Sequence, residues 1–141
     1  RQRMAVTEKS SRPAVTHWEV LERYERYSYI RCRLETGRTH QIRVHMAHIG
    51  HPILGDTVYG AKKPVPGLTG QCLHAVGLRF RHPRTGERVT VECELPDYFN
   101  QVLRKLGPPL ECVGLSMMCY TFGKANKTCL VDCQLSGRIG N

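Results

Sequence analysis

Four histidines and two arginines sit between apolar positions in Leu34 to Gly60, LETGRTHQIRVHMAHIGHPILGDTVYG, and their types and spacing could support three chemistries. The first is metal binding by His40, His45, His48 and His51, four imidazoles within twelve residues. On a helix His45 and His48 are neighbours, whereas His40 projects elsewhere, so only a pair converges. A catalytic zinc takes three protein ligands, and no Glu stands within the helix as it does in HExxH proteases. Histidines at the core edge or facing RNA are the better reading, and no metal is expected. The second chemistry, a nucleophilic thiol, has little support, because Cys32 and Cys72 fall inside expected strands with no histidine at a telling offset. The third is anion binding. Arg38, Thr39, His40, Gln41 and Arg43 follow Gly37 at the start of a helix, and such an end presents donors and positive charge to a phosphate or a carboxylate.

The surrounding elements must position these groups. Gly37 can supply a turn and Thr39 a capping hydroxyl, so the helix is expected to start near Thr39. Ile42, Met46 and Ile49 recur at the interval of one buried face, and Gly50 followed by Pro52 is the stop. Before the helix, AVTHWEVLERY and YSYIRCRLE alternate as two strands around a short charged connection, Glu22 to Arg26. Arg31 and Arg33 then share the face opposite Ile30, Cys32 and Leu34, either as a solvated surface or as phosphate contacts. After the helix, HPILGDTVYGAKKPVPGLTG is rich in proline and glycine and reads as a long irregular loop. Lys62 and Lys63 beside Tyr59 could serve a splayed-out RNA strand or a plain loop tip. CLHAVGLRFRHP and RVTVECELP form a second hairpin, turning at Pro83 to Glu87. Phe99, Val102, Leu103 and Leu106 then make the stripe of an amphipathic helix that stops at Gly107-Pro108-Pro109.

In bulk, 141 residues suit one domain, and 21 basic against 12 acidic side chains give a net charge of +9. That balance favours nucleic acid or another polyanion as partner. The basicity belongs to residues 1–106, with 18 basic and 10 acidic groups, rather than to 107–141, with three and two. No apolar run approaches the roughly 18 residues of a membrane helix, so no membrane is expected. The first residues lack the apolar core of a signal peptide. Seven cysteines at irregular spacing then suit a cytoplasmic protein with free thiols. Four of the seven crowd beyond Leu110. Residues 110–141 are accordingly expected to be a separate, disordered tail, in which Cys112, Cys119, Cys129 and Cys133 do not show paired CxxC zinc spacing.

Residues 34–60, with THWEVLERY before them and LHAVGLRFRHPRTGE after them, resemble the C-terminal half of RluA-type RNA pseudouridine synthases. GRTHQIRVHMAHIGHPILGD is the most specific part of the match. The resemblance implies a mixed α/β (α+β) catalytic domain around a mainly antiparallel sheet with packed helices, over residues 1–109. It implies isomerisation of uridine to pseudouridine in structured RNA, most often ribosomal, with no cofactor, by a protein expected to be a monomer. It carries Arg43 as the ion-pair partner of a catalytic Asp, and Ile42 as apolar packing beside that pair. Arg38, Thr39, His40 and Gln41, with Arg31, Arg33, Lys62 and Lys63, are the expected RNA contacts, Thr39 also serving as the cap. Asp56 is typical of the family's loop but is not its nucleophile. The nucleophile belongs to an upstream Arg-Leu-Asp motif, together with a Tyr that stacks on the uracil. Arg33-Leu34-Glu35 is not that motif, since it abuts GRTHQIR and ends in Glu. The chain therefore reads as a fragment, inactive in isolation. An inactive RNA-binding domain and a histidine metal protein are the alternatives.

Overall fold

Period-two alternation sets the first hairpin, in which β1 (Thr16–Arg23) runs antiparallel to β2 (Tyr27–Leu34). The computed structural model describes residues 3–7 and 11–110, and the backbone of 111–112 and 128–136. Thr16 stands opposite Leu34 and Arg23 opposite Ser28, with one irregularity between Val20 and Glu22. Ser28, Ile30, Cys32 and Leu34 share one face of β2 and all are buried, as alternation requires. Tyr29, of the other parity, is buried as well, because the second face of β2 is also covered.

Each face has its helix. Ile42 and Met46 of α1 (Gln41–His48) pack with Ile30, Cys32, Leu34 and Ile53. On the other side Phe99 of α2 (Asp97–Leu106) is fully buried with Tyr24, Tyr29, Leu54 and Cys72, and Val102, Leu103 and Leu106 lie against that cluster. The Phe99 and Tyr29 rings meet edge-on at 5.5 Å. Burying a ring of that size contributes roughly 2–3 kcal/mol. Between the helices, β3 (Leu73–Arg81) and β4 (Arg88–Glu92) form the second antiparallel hairpin.

Two local details differ from expectation. Helix α1 starts at Gln41, and the residue at its N-cap is His40, in the left-handed region at φ 55°, with no side-chain cap bond. Thr39 therefore does not cap it. Ile49 lies past the last helical turn and is 46% exposed, so the buried side of α1 is completed by Val44 and Gln41 instead.

The long loop after α1 is irregular, as its composition implies, but it is anchored. Ile53 and Leu54 are buried, and Cys72 N–H donates to the Leu54 carbonyl at 2.7 Å. Gly55 is required there: its φ is +79°, and a Cβ would stand 2.4 Å from the Gly70 carbonyl oxygen.

With β5 at Glu111–Cys112 and β6 at Thr128–Ser136, the sheet order is β4-β3-β6-β2-β1-β5. Beyond Leu110 the described segments are strands, where the composition suggests a separate, disordered tail. Glu111–Cys112 (β5) adds to the edge of β1, and Thr128–Ser136 (β6) pairs in parallel with β2 on one side and β3 on the other. Ladders on both sides satisfy the backbone of β6 whatever its local composition. The sheet is thus mixed, with antiparallel hairpins joined through a parallel insert. The side chains of Cys112, Cys129 and Cys133, and all of Cys119, lie outside the described residues.

Candidate active site on helix α1

Arg43 lies in the first turn of α1, and it reaches across to the loop that follows the helix. Its Nε donates to Asp56 Oδ2 at 2.8 Å and its Nη2 to Asp56 Oδ1 at 3.0 Å. This is the two-pronged geometry in which an arginine fixes both oxygens of a carboxylate. The Asp56 side chain is fully buried and that of Arg43 is 11% exposed. Asp56 Oδ1 also accepts the backbone N–H groups of Val58 and Tyr59, at 3.0 and 3.1 Å, closing an Asx-type turn. Burial pushes the Asp56 carboxyl up, but the Arg43 bonds and the two backbone donors outweigh it and hold the group below the ordinary carboxylate range. The bond to Asp56 raises the pKa of Arg43 in turn, against the effect of burial. Both shifts favour the ionised pair.

Tyr59 covers this pair. The guanidinium carbon of Arg43 lies 5.0 Å from its ring centroid and that of Arg3 lies 5.6 Å away, both within cation–π range. The hydroxyl meets His40 Nδ1 at 3.0 Å and accepts the Met4 backbone N–H at 2.8 Å. His40 is the one described non-glycine residue at positive φ, and strained backbone of this kind concentrates at functional sites. Arg3, His40 and Arg43 around one aromatic ring form a surface suited to an anion.

Gln41 is engaged within the protein. Its Nε2 donates to the Val15 carbonyl at 3.0 Å and to Thr16 Oγ1 at 2.9 Å. Its Oε1 accepts from Thr36 Oγ1 at 2.7 Å and from the Arg38 N–H at 3.0 Å. With two donors and two acceptors used, the amide is saturated, and the residue is buried. It clasps the start of α1 to β1 and to the preceding loop. Gln41→Leu, which removes four hydrogen bonds and leaves the Arg38 N–H without its partner, should lower stability by roughly 2–3 kcal/mol. Chemical denaturation checks this, and a change under half a kcal/mol would make the clasp dispensable.

The remaining expected residues are spread out. Ile42 is buried as apolar packing in the cluster on β2. Arg38 and Thr39 are exposed on an open cleft of about 520 Å³ between α1 and residues 4–7 and 11–14, which Arg12 and His45 also line. Arg33 is exposed opposite His17 on the charged face of β1 and β2, with Arg31 half-buried beside it. Lys62 and Lys63 are exposed on the loop. The histidines do not converge: His45 Nδ1 meets Thr16 Oγ1 at 2.9 Å, whereas His40 faces Tyr59. Among the described residues no group of three or more His, Cys, Asp or Glu could hold a metal ion. Burial pushes the Cys72 thiol up to about 12, far from a reactive thiolate.

Two groups at the site give stability an acid dependence. The pKa of His45 lies below its ordinary 6.5 because of burial and the neighbouring His48, and that of Asp56 lies below its ordinary 3.8. In both cases the unfolded chain takes up a proton that the folded chain resists. Each contribution is therefore complete above the ordinary value and is lost as pH falls through the lower, folded one. Stability should decline below about pH 6.5 and fall further below about pH 4. Denaturant titrations across pH 7.5 to 3.5 check this, and His45→Gln should flatten the upper step only. A stability independent of pH above 5 would rule out the His45 contribution.

Fold and site together define a basic α/β domain that holds a fixed guanidinium at the start of a helix, beside a positively charged aromatic surface. Known proteins resolve the class further. Residues 1–48 match the family model described as RNA pseudouridylate synthase. An uncharacterized RNA pseudouridine synthase of Bacillus subtilis is 50% identical over 106 residues, which is 75% of this chain and 34% of that protein. Ribosomal large subunit pseudouridine synthase D of Haemophilus influenzae is 49% identical over 107 residues, 67% of this chain and 33% of that protein. Its namesake in Neisseria meningitidis serogroup A is 49% identical over 116 residues, 75% and 31% respectively. This chain belongs to the RluA-type RNA pseudouridine synthase family. It spans about a third of the length of the relatives it matches.

Asp56, read from the sequence as a residue of the family's loop and not as the nucleophile, is the partner of Arg43, a pairing that the sequence did not assign. Its signal was present, since a Gly-Asp pair before Thr57-Val58-Tyr59 has the composition of an Asx turn. Nothing in the spacing, however, ties that turn to Arg43.

Proposed function

We propose that residues 1–109 are the C-terminal part of the catalytic domain of an RNA pseudouridine synthase. It would isomerise uridine to pseudouridine in structured RNA, and the relatives' names point to ribosomal RNA as the substrate class. In this reaction the base leaves the ribose through its N1 bond and rejoins through C5, with C5 losing a proton and N1 gaining one. No oxidant or cofactor enters the balance. The Asp nucleophile comes from the upstream half implied by the family resemblance, and this chain contributes its partner.

The observation that carries the reading is the half-used guanidinium of Arg43. Arg has five N–H donors in a planar fork, and two of them hold Asp56. Among the described residues no other hydrogen bond engages this guanidinium, so Nη1 and the second proton of Nη2 remain for another anion. Because Asp56 already fixes its plane, the free edge is aimed before any ligand arrives. A carboxylate docked there would stay ionised and oriented, which is what a nucleophile attacking a flipped-out nucleotide needs. The basic surface around Tyr59 would hold the neighbouring phosphates.

The test is direct. The 141-residue chain alone should form no pseudouridine in a ribosomal RNA transcript, while the same chain joined to its upstream half should form it. Pseudouridine produced by the chain alone would refute the assignment of Arg43 as partner to a missing nucleophile. A longer protein that binds RNA without modifying it would refute the enzyme reading.

A further inference from the structure

The β3–β4 hairpin carries four arginines for which the proposed chemistry has no use. Arg79 and Arg81 are two residues apart on β3, which places them on one face roughly 7 Å apart. The register sets Arg88 directly opposite Arg81 and Thr90 opposite Arg79. Arg84 sits at the turn, and all four are exposed. Among the described residues none of them makes an ion pair, and neither do the hairpin's two acids, Glu87 and Glu92. Like charges directly opposite destabilise an antiparallel pair. The Arg81–Arg88 arrangement therefore weakens the free hairpin, and an anion laid across it would reverse that effect.

The scaffold behind these side chains is preformed. His82 Nδ1 accepts the N–H groups of Arg84 and Thr85, each at 3.2 Å. His82 N–H donates to the Glu87 carbonyl at 2.7 Å, and Gly86 N–H to the His82 carbonyl at 2.9 Å. Arg81 Nη1 donates to the Gly86 carbonyl at 3.2 Å, which keeps that side chain near the turn. The face they share offers no aromatic platform for bases, since Phe80 and Leu78 belong to the other face of β3. Contacts there would be to phosphates, which position a nucleic acid without reading its sequence.

Position in the sheet gives the reach. β4 is four strand steps from β1, against which α1 packs, or roughly 19 Å at the usual strand spacing. A single nucleotide does not bridge that distance, whereas a folded RNA does.

We propose that the β3–β4 hairpin is a second phosphate-binding surface, gripping the backbone of the RNA stem that flanks the target uridine while the α1 site addresses the uridine itself. This deepens, and rests on, the reading of the chain as part of an RNA-modifying enzyme. The test replaces Arg79, Arg81, Arg84 and Arg88 together with glutamine in the protein that carries this chain. Binding of a labelled ribosomal RNA stem-loop is then titrated at several salt concentrations, beside binding of uridine monophosphate. Stem-loop affinity should fall at least tenfold, and the slope of log affinity against log salt should become shallower by up to about 3.6, at roughly 0.9 for each of four phosphate contacts. Mononucleotide binding should not change, and the melting temperature should not fall, since the substitutions remove the Arg81–Arg88 repulsion. Arg84→Glu alone, at the turn and outside the strand ladder, should give a smaller loss in the same direction and covers the case of a misfolded quadruple variant. An unchanged salt slope with stem-loop binding intact would overturn the hairpin proposal and leave the enzyme reading standing. A shallower slope in a protein that makes no pseudouridine would support the hairpin and overturn the enzyme reading. No stem-loop binding by the unsubstituted protein would overturn both.

Discussion

Replacing Arg43 with alanine should destabilise the fold by about 3–5 kcal/mol, because it leaves the carboxylate of Asp56 buried without its counter-charge. Asp56 is fully buried, so water cannot take over from the guanidinium. The backbone N–H groups of Val58 and Tyr59 remain as partners, and they soften the loss without neutralising the charge. Asp56→Asn should cost less, since the amide oxygen can still accept from those donors and Arg43 can rotate part of its charge toward solvent. Removing both partners should cost clearly less than the sum of the two single changes, the signature of a coupled pair in a double-mutant cycle. The pH dependence adds a second readout. Without Arg43 the Asp56 carboxyl loses what holds its pKa down, so its protonation at mild acid should relieve the penalty, and the deficit of Arg43→Ala should shrink between pH 7.5 and 5. Chemical denaturation at both pH values measures all of this. A deficit below about half a kcal/mol, or one that does not move with pH, would mean that the pair does not anchor the loop.

The elements themselves were readable because their signals are local. Alternation along AVTHWEVLERY and YSYIRCRLE, turn residues at Pro83 to Glu87 and the apolar stripe of DYFNQVLRKL each act within a few residues, and each element formed within the stretch its pattern marked. What escaped was non-local. Thr39 has the chemistry of a cap, yet the Arg38 N–H is taken by Gln41 Oε1 from within the helix, and the chain enters α1 through His40 instead. Gln41 carries an exposed-type side chain whose four partners come from two segments, up to 26 residues away. Strand β6 is the extreme case. Its partners are about a hundred residues upstream on β2 and some fifty-eight upstream on β3, and parallel pairing leaves no hairpin turn in the sequence to announce it. The site follows the same division. The resemblance located Arg43 through its neighbours in GRTHQIR, whereas the identity of its buried partner depended on how a proline- and glycine-rich loop folds back.

That partner sharpens what Arg43→Lys should do in the full-length enzyme. A lysine keeps the charge but is a point donor without the planar fork. In this site it would have one buried carboxylate to satisfy, Asp56, before any second one. Arginine can serve both, because Nε and Nη2 face Asp56 while the other edge stays free. The second carboxylate would meet an already neutralised pair, so net charge alone does little for it and directed hydrogen bonds must do the aiming. Losing them should lower turnover by on the order of a hundredfold, the usual consequence of a reacting group misplaced by about an ångström. RNA affinity should change by less than about threefold, since one buried side chain contributes little to phosphate binding that many surface cations share. The fold should also survive, because Lys can still neutralise Asp56, and a melting curve near that of the parent separates this variant from Arg43→Ala. Single-turnover rates at saturating enzyme, read beside equilibrium RNA binding, decide the matter. A normal single-turnover rate with weakened binding would make Arg43 a phosphate contact and remove it from the chemistry.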